Sequence, residues 1–152
     1  MKTTLLHSAT DPDWLRLRME LWPEAAPQEH LNEMTSQVSE PERYGQFLIH
    51  TSDNDAVGLA EASIRSDYVN GTDSSPVGFL EGLYVIPKVR RQGIGRALVL
   101  AVAEWAKSKG CSELASDAPV ENRRSRAVHR SLGFIETERV VYFNMRLGEN
   151  EA

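Results

Sequence analysis

The chain has 152 residues, 41% of them hydrophobic and 26% charged, with a formal net charge of −5. That is room for one domain with a sizeable core. The mild acidity disfavours generic binding to nucleic acid or anionic membrane and suits a cationic partner if the acids cluster. The single cysteine, Cys111, excludes an internal disulfide, and no stretch forms a signal peptide or approaches the ~20 apolar residues of a membrane span, which points to a cytoplasmic protein.

Thr10-Asp11-Pro12-Asp13 predicts a helix start, with a capping side chain, a first-turn proline and acids at the positive end of the dipole. Trp14, Leu17 and Leu21 follow at helical spacing, and Trp22 closes the stretch before Pro23. A second helix is predicted from Gln28 to Val38, with Leu31, Met34 and Val38 on one face. GQFLIHTS and AVGLAEASIR read as strands joined by the turn Asp53-Asn54-Asp55. SDYVNGTDSS is a polar loop, and VGFLEGLYVI an apolar strand stopped by Pro87. A helix then carries Ile94, Ala97, Leu98, Ala101, Val102 and Trp105 on one stripe, and Gly110 stops it. CSELASDA is predicted as a strand, NRRSRAVHRSLG as a helix and FIETERVVYFNMRL as a final strand, before a frayed tail at 148–152. These elements define a mixed α/β domain over residues 1–147.

The loop between strand and helix reads Arg90-Arg91-Gln92-Gly93-Ile94-Gly95-Arg96. Free N–H groups at a helix start carry partial positive charge and bind phosphate. Glycines let a diphosphate approach the backbone, and arginines add fork-shaped donors. The plain alternative is a tight turn with solvated arginines. A P-loop is excluded because GK[ST] is missing, and a dinucleotide fingerprint because the third glycine is missing.

VRRQGIGRAL resembles the pyrophosphate loop of the GNAT superfamily of N-acetyltransferases, and NRRSRAVHRSLGF resembles the segment that lines the other side of coenzyme A in that family. The likeness runs over roughly residues 40–147. A narrower one, to the bacterial aminoglycoside 6′-N-acetyltransferases, rests on Leu21-Trp22-Pro23, EASIRSDYVNGTDSSPVGFLEG, Ala115-Ser116-Asp117 and GFIETERVVYF. The resemblance implies a single GNAT-like domain with a central, mostly antiparallel sheet flanked by helices. It also implies acetyl-CoA as cosubstrate and an aminoglycoside as acceptor. No metal is expected. Where many relatives place a tyrosine as the acid that protonates the leaving thiolate, this chain has His129; Tyr142 and water are the other candidates for that acid.

Moving acetyl from a thioester to an amine needs a base, an oxyanion donor and a stabilised thiolate. It needs no covalent intermediate, so Cys111 reads as a core or edge residue. Glu81 stands inside an otherwise apolar strand, where a carboxylate is costly without a partner, a cleft or a locally exposed face. By resemblance it contacts the substrate amine and accepts its proton. Leu83, Tyr84 and Val85 would offer backbone groups to the pantetheine, and Arg91, Gln92, Gly93, Ile94, Gly95 and Arg96 would hold the pyrophosphate. Asn122 is a helix cap on its own terms and, by resemblance, a pantetheine contact. The resemblance assigns Asp117 and Glu138 to the substrate, with Trp22 and Tyr68 as aromatic walls. Each of these four also has a plain reading, surface acids for the first pair and core packing for the second. Arg123, Arg124, Arg126 and Arg130 lie beside the expected phosphates and read as coenzyme contacts or a solvated face, with no nucleic acid implied.

The expected reaction is acetylation of an aminoglycoside 6′-amine, conferring resistance. The alternatives are the same chemistry on a polyamine, a protein N-terminus or a small metabolite, and a non-catalytic acyl-CoA sensor, against which Glu81 argues. Members of the resembled subgroup are commonly dimers, and FIETERVVYFNMRL, rich in Val, Tyr and Phe, suits an edge that seeks a partner; a homodimer is expected.

Overall fold

The computed structural model describes residues 1–148. Five strands form one sheet in the order β1 (Lys2–Leu5), β2 (Tyr44–His50), β3 (Ala56–Arg65), β4 (Val77–Val85) and β5 (Leu114–Ala115). The first four are antiparallel, and β5 joins β4 in parallel through Gly78–Leu114 and Phe79–Ala115. The predicted mostly antiparallel sheet with flanking helices is therefore present. It also has an edge strand, β1, that the sequence reading does not anticipate.

The helices follow from local chemistry. Helix α1 (Pro12–Leu21) is capped by Asp11, whose carboxylate accepts from the N–H groups of Asp13 and Trp14 at 2.9 and 3.3 Å. Trp14, Leu17 and Arg18 fall on its buried face. Helix α2 (Pro27–Val38) opens on a proline and buries His30 and Met34. Helix α3 (Ile94–Ser108) starts at Gly93, whose φ of +82° is left-handed backbone that costs glycine little. Helix α4 (Arg123–Ser131) is capped by Asn122, which accepts from the N–H of Ser125 at 3.0 Å.

The sheet separates two cores. On one face Phe47, Ile49, Ala60, Ala62 and Leu80 meet the α3 stripe of Ile94, Leu98, Val102 and Trp105, with Leu132 and Phe134 beyond α4 packed against them. On the other, Leu48 and Leu59 meet Trp14 and Leu17 of α1 and Met34 of α2. Burying each such side chain contributes roughly 1.5–3 kcal/mol before conformational entropy is set against it. Cys111 belongs to the first core, and burial pushes its thiol pKa up, which suits packing rather than nucleophilic attack.

Two expectations fail. CSELASDA forms only the two-residue β5. FIETERVVYFNMRL forms no strand: residues 134–148 carry neither helix nor ladder, and Ile135, Val141, Tyr142, Phe143, Met145 and Leu147 are exposed. A strand exists only by pairing, and strand propensity in a segment without a neighbour has nothing to act on. The expected frayed tail lies outside the described residues apart from Gly148.

Candidate active site

Between β3 and β4 the register shifts by one: Glu61 pairs with Gly82 and Ala62 with Leu80, leaving Glu81 unpaired. This is a β-bulge, and such an extra residue re-aims a side chain. The bulge explains how a carboxylate tolerates an apolar strand. Glu81 and Gly82 both face the α1–α2 side, where the indole of Trp22 lies so close over Gly82 that an added Cβ would meet it at 2.6 Å. Only glycine permits that approach. Trp22 is thus half-buried beside Glu81 rather than in the core, which belongs to Trp14.

Glu81 and Trp22 line a cleft of about 500 Å³ with Arg18, His30, Glu33, Gln37, Tyr44 and Glu61. Its floor is a buried polar network. Glu61 Oε2 accepts from Trp14 Nε1 at 2.8 Å and lies 3.0 Å from Arg18 Nε, while Oε1 accepts from Gln37 at 2.9 Å. Arg18 also donates to the His30 carbonyl at 3.2 Å and to Glu33 at 2.5 Å, and its guanidinium sits 5.0 Å from the Trp22 ring. Burial raises the Glu61 pKa above its ordinary 4.5, against the pull of Arg18. The rim is wetter. Glu81 accepts from Ser63 Oγ at 2.5 Å and from Arg65 Nη2, which lies 2.8 and 3.1 Å from its two oxygens.

Beyond Phe79 and Ala115, β4 and β5 no longer pair, so the β4 edge from Glu81 to Val85 is without a strand partner among the described residues. This edge leads through Pro87 to the glycine loop. Ala97 is the first residue of α3 to bond back, to the Gly93 carbonyl at 3.0 Å, so the N–H groups before it point out of the helix. Gly95 faces Leu83 of β4 and Leu132, each 3.9 Å from where a Cβ would stand. The glycine loop, the open edge of β4 and the end of α4 therefore meet at one place, where free N–H groups at a helix start can receive phosphate. Arg91 adopts a φ of +65°, Arg90 donates to the Val85 carbonyl at 2.7 Å, and Arg96 donates to the Ser131 carbonyl at 2.6 Å, tying α3 to α4.

His129 lies against Ser116, which follows β5. Its Nδ1 is 2.7 Å from the Ser125 carbonyl, which can only accept, so Nδ1 carries a proton, and Nε2 lies 2.7 Å from the Ser116 hydroxyl. Tyr142 is exposed on the extended C-terminal segment.

Of the acids and rings singled out in the sequence, the cleft gathers Glu81 and Trp22. Tyr68, 73% exposed, and Asp117 and Glu138, both exposed, are not among its lining residues. Thr137 packs on Gly71, which brings its neighbour Glu138 towards the loop that carries Tyr68. The sequence reading misses Glu61, Arg18, Glu33, Gln37, Tyr44, Ser63 and Arg65. Glu61 carries the same signal as Glu81, a carboxylate inside an apolar strand, and Arg18 a related one, a cation on the apolar stripe of α1; the others carry none.

The model of the Acetyltransferase (GNAT) family matches residues 11–134, and the chain belongs to this family. Among its relatives, the aminoglycoside N(6′)-acetyltransferase type 1 of Stenotrophomonas maltophilia is 50% identical over 145 residues, covering 93% of each chain. That of Acinetobacter haemolyticus is 50% identical over 135 residues, covering 89% of this chain and 91% of its own. An apo crystal structure of an aminoglycoside 6′-N-acetyltransferase from A. haemolyticus superposes with a TM-score of 0.91 at 47% identity, over 97% of this chain and 100% of that one. AAC(6′)-Iy in complex with the bisubstrate analogue CoA-S-monomethyl-acetylneamine superposes with a TM-score of 0.90 at 41% identity, over 96% and 98%. No helix among the described residues is long and apolar enough to cross a membrane.

Proposed function

We propose that the protein transfers the acetyl group of acetyl-CoA to the 6′-amine of aminoglycosides, as a cytoplasmic resistance enzyme. The observation that carries this reading is the position of Glu81. It stands on a bulge, at one end of the unpaired β4 edge that leads to the glycine loop, and on the wall of an acid-lined cleft. The relatives named for this reaction cover nearly the whole chain.

In this reading the pyrophosphate of the coenzyme rests on the loop from Arg91 to Arg96, and the pantetheine runs along Leu83, Tyr84 and Val85 towards Asn122. The drug lies in the cleft against Trp22. Its 6′-ammonium gives a proton to Glu81, directly or through water, and the free amine attacks the thioester carbon. A backbone N–H on β4 stabilises the oxyanion; collapse breaks the C–S bond, and the proton that the amide nitrogen sheds ends on the coenzyme sulfur. Holding both reactants in line supplies much of the rate. Asp117, Glu138 and Tyr68 take the outer rings of a substrate longer than the cleft.

The regiochemistry has a direct test. A drug carrying a hydroxyl in place of its 6′-amine keeps most of its cationic scaffold, so it is expected to bind yet accept no acetyl group. Mass spectrometry of the products checks this. Acetylation of the 6′-hydroxyl drug on another amine, at the rate of its 6′-amino counterpart, would refute the assignment.

We further propose a homodimer built on residues 134–147. Seven large apolar side chains of this segment are exposed in the single chain, a liability that a second copy removes by pairing. Light scattering at micromolar concentration is expected to give twice the 17.0 kDa chain mass. A monomer mass would refute the dimer.

A further inference from the structure

We propose that Arg65 is a resident counter-cation of Glu81, occupying the seat that the substrate ammonium must take. The proposal rests on the reading of Glu81 as the acceptor of a cationic amine. Arg65 is the last residue of β3, and its Nη2 straddles both oxygens of Glu81 at 2.8 and 3.1 Å, while Ser63 holds Oε2 from the other side. Oε2 therefore carries two hydrogen bonds and Oε1 one before any substrate arrives, and a cation already faces the carboxylate. An ammonium that delivers its proton to Glu81 needs one of these oxygens.

Two features make the exchange feasible. The pair is open to water, with side-chain exposures of 43% for Arg65 and 35% for Glu81. The guanidinium carbon also lies 3.6 Å from the ring centroid of Phe79, a contact that does not involve Glu81. Arg65 can release the carboxylate and stay stacked on the ring. The second pair of the cleft, Arg18 with Glu61, has 3% exposure on each side and no access to water. One pair holds the floor, and the other holds a place.

Displacing an exposed pair of this kind lowers a ligand's affinity by about two- to fivefold. A substrate with several ammonium groups offsets that loss through its other contacts, whereas a small monoamine does not. Arg65 therefore favours polycations over the simple amines of the cell.

The test measures neamine binding by calorimetry to the full chain as wild type, Arg65→Met, Arg65→Lys, Glu81→Gln and the double variant Arg65→Met/Glu81→Gln, with coenzyme A affinity as the control for an intact site. Arg65→Met is expected to tighten neamine binding about two- to fivefold and leave coenzyme A binding unchanged. Arg65→Lys, which keeps the charge, is expected to stay near wild type. In the Glu81→Gln background the gain from Arg65→Met should vanish, because no carboxylate remains to be freed. Unchanged or weaker neamine binding in Arg65→Met would overturn the proposal. So would an equal gain in the Glu81→Gln background, which would mark a diffuse charge effect. Failure of the wild type to bind neamine at all would overturn the substrate reading, and this exchange with it, a result distinct from binding that ignores Arg65.

Discussion

Gly95→Asp is expected to weaken coenzyme A binding by about a hundredfold or more, since a like charge set against an anion costs several kcal/mol, and to leave the fold intact. A Cβ at position 95 would stand in ordinary contact with Leu83 and Leu132, 3.9 Å from each, so it meets no clash. Aspartate in the first turn of α3 also complements the helix dipole, so the helix is not weakened. The same positive pole that welcomes this carboxylate is the one offered to the phosphates, and the two cannot both occupy it. Gly95→Ala adds a methyl without charge and should lose far less. Calorimetry with coenzyme A and circular dichroism separate binding from folding. Undiminished binding in Gly95→Asp would remove the loop from the coenzyme site.

Arg18→Met is expected to destabilise the protein by about 3–5 kcal/mol, the usual result of stranding one member of a buried ion pair. Methionine fills most of the space, so the loss reports charge more than packing. The pH dependence carries a sign. The folded-state pKa of Glu61 is raised above 4.5, chiefly by burial, so the folded chain binds this proton more tightly than the unfolded chain does. Its contribution is therefore fully present below pH 4.5 and is lost as pH rises from there through the folded-state value. Removing Arg18 takes away the largest influence that lowers this pKa, which widens the window. Urea unfolding should show a smaller loss at pH 4.5 than near neutrality. The double variant Arg18→Met/Glu61→Leu should regain most of the stability, because no buried charge is left. Equal losses at both pH values would refute the account.

Local signals carry much of the architecture. Asp11 caps the helix that its sequence announces, the α3 stripe packs as its spacing requires, and the glycine loop lies at the strand–helix junction. Glu81 is visible because its strand is otherwise apolar. What stays hidden depends on pairing. The bulge is a relation between β3 and β4, and neither strand shows it alone. Tyr44 reaches the cleft, and Tyr68 stays outside it, because of where β2 and the 66–76 loop are carried by the sheet. Arg18 falls on the buried face of α1, where helical spacing asks for an apolar residue, and only the proximity of Glu61 explains it. The C-terminal segment has the composition of a strand, but one chain supplies it with no ladder.

The bulge also sets a limit on how far the sheet can be perfected. Before it, Gly78 and Leu80 address α3; after it, Leu83 and Val85 do, so even positions give way to odd ones. The alternation changes parity at a single residue, and that residue is Glu81. Deleting it would restore an unbroken ladder with β3 and leave Leu83, Tyr84 and Val85 facing as they do now. The repaired strand would be the better strand and would have no base. Regular pairing and chemistry compete here for one position, so selection for stability alone would favour the loss of activity at this point in the chain.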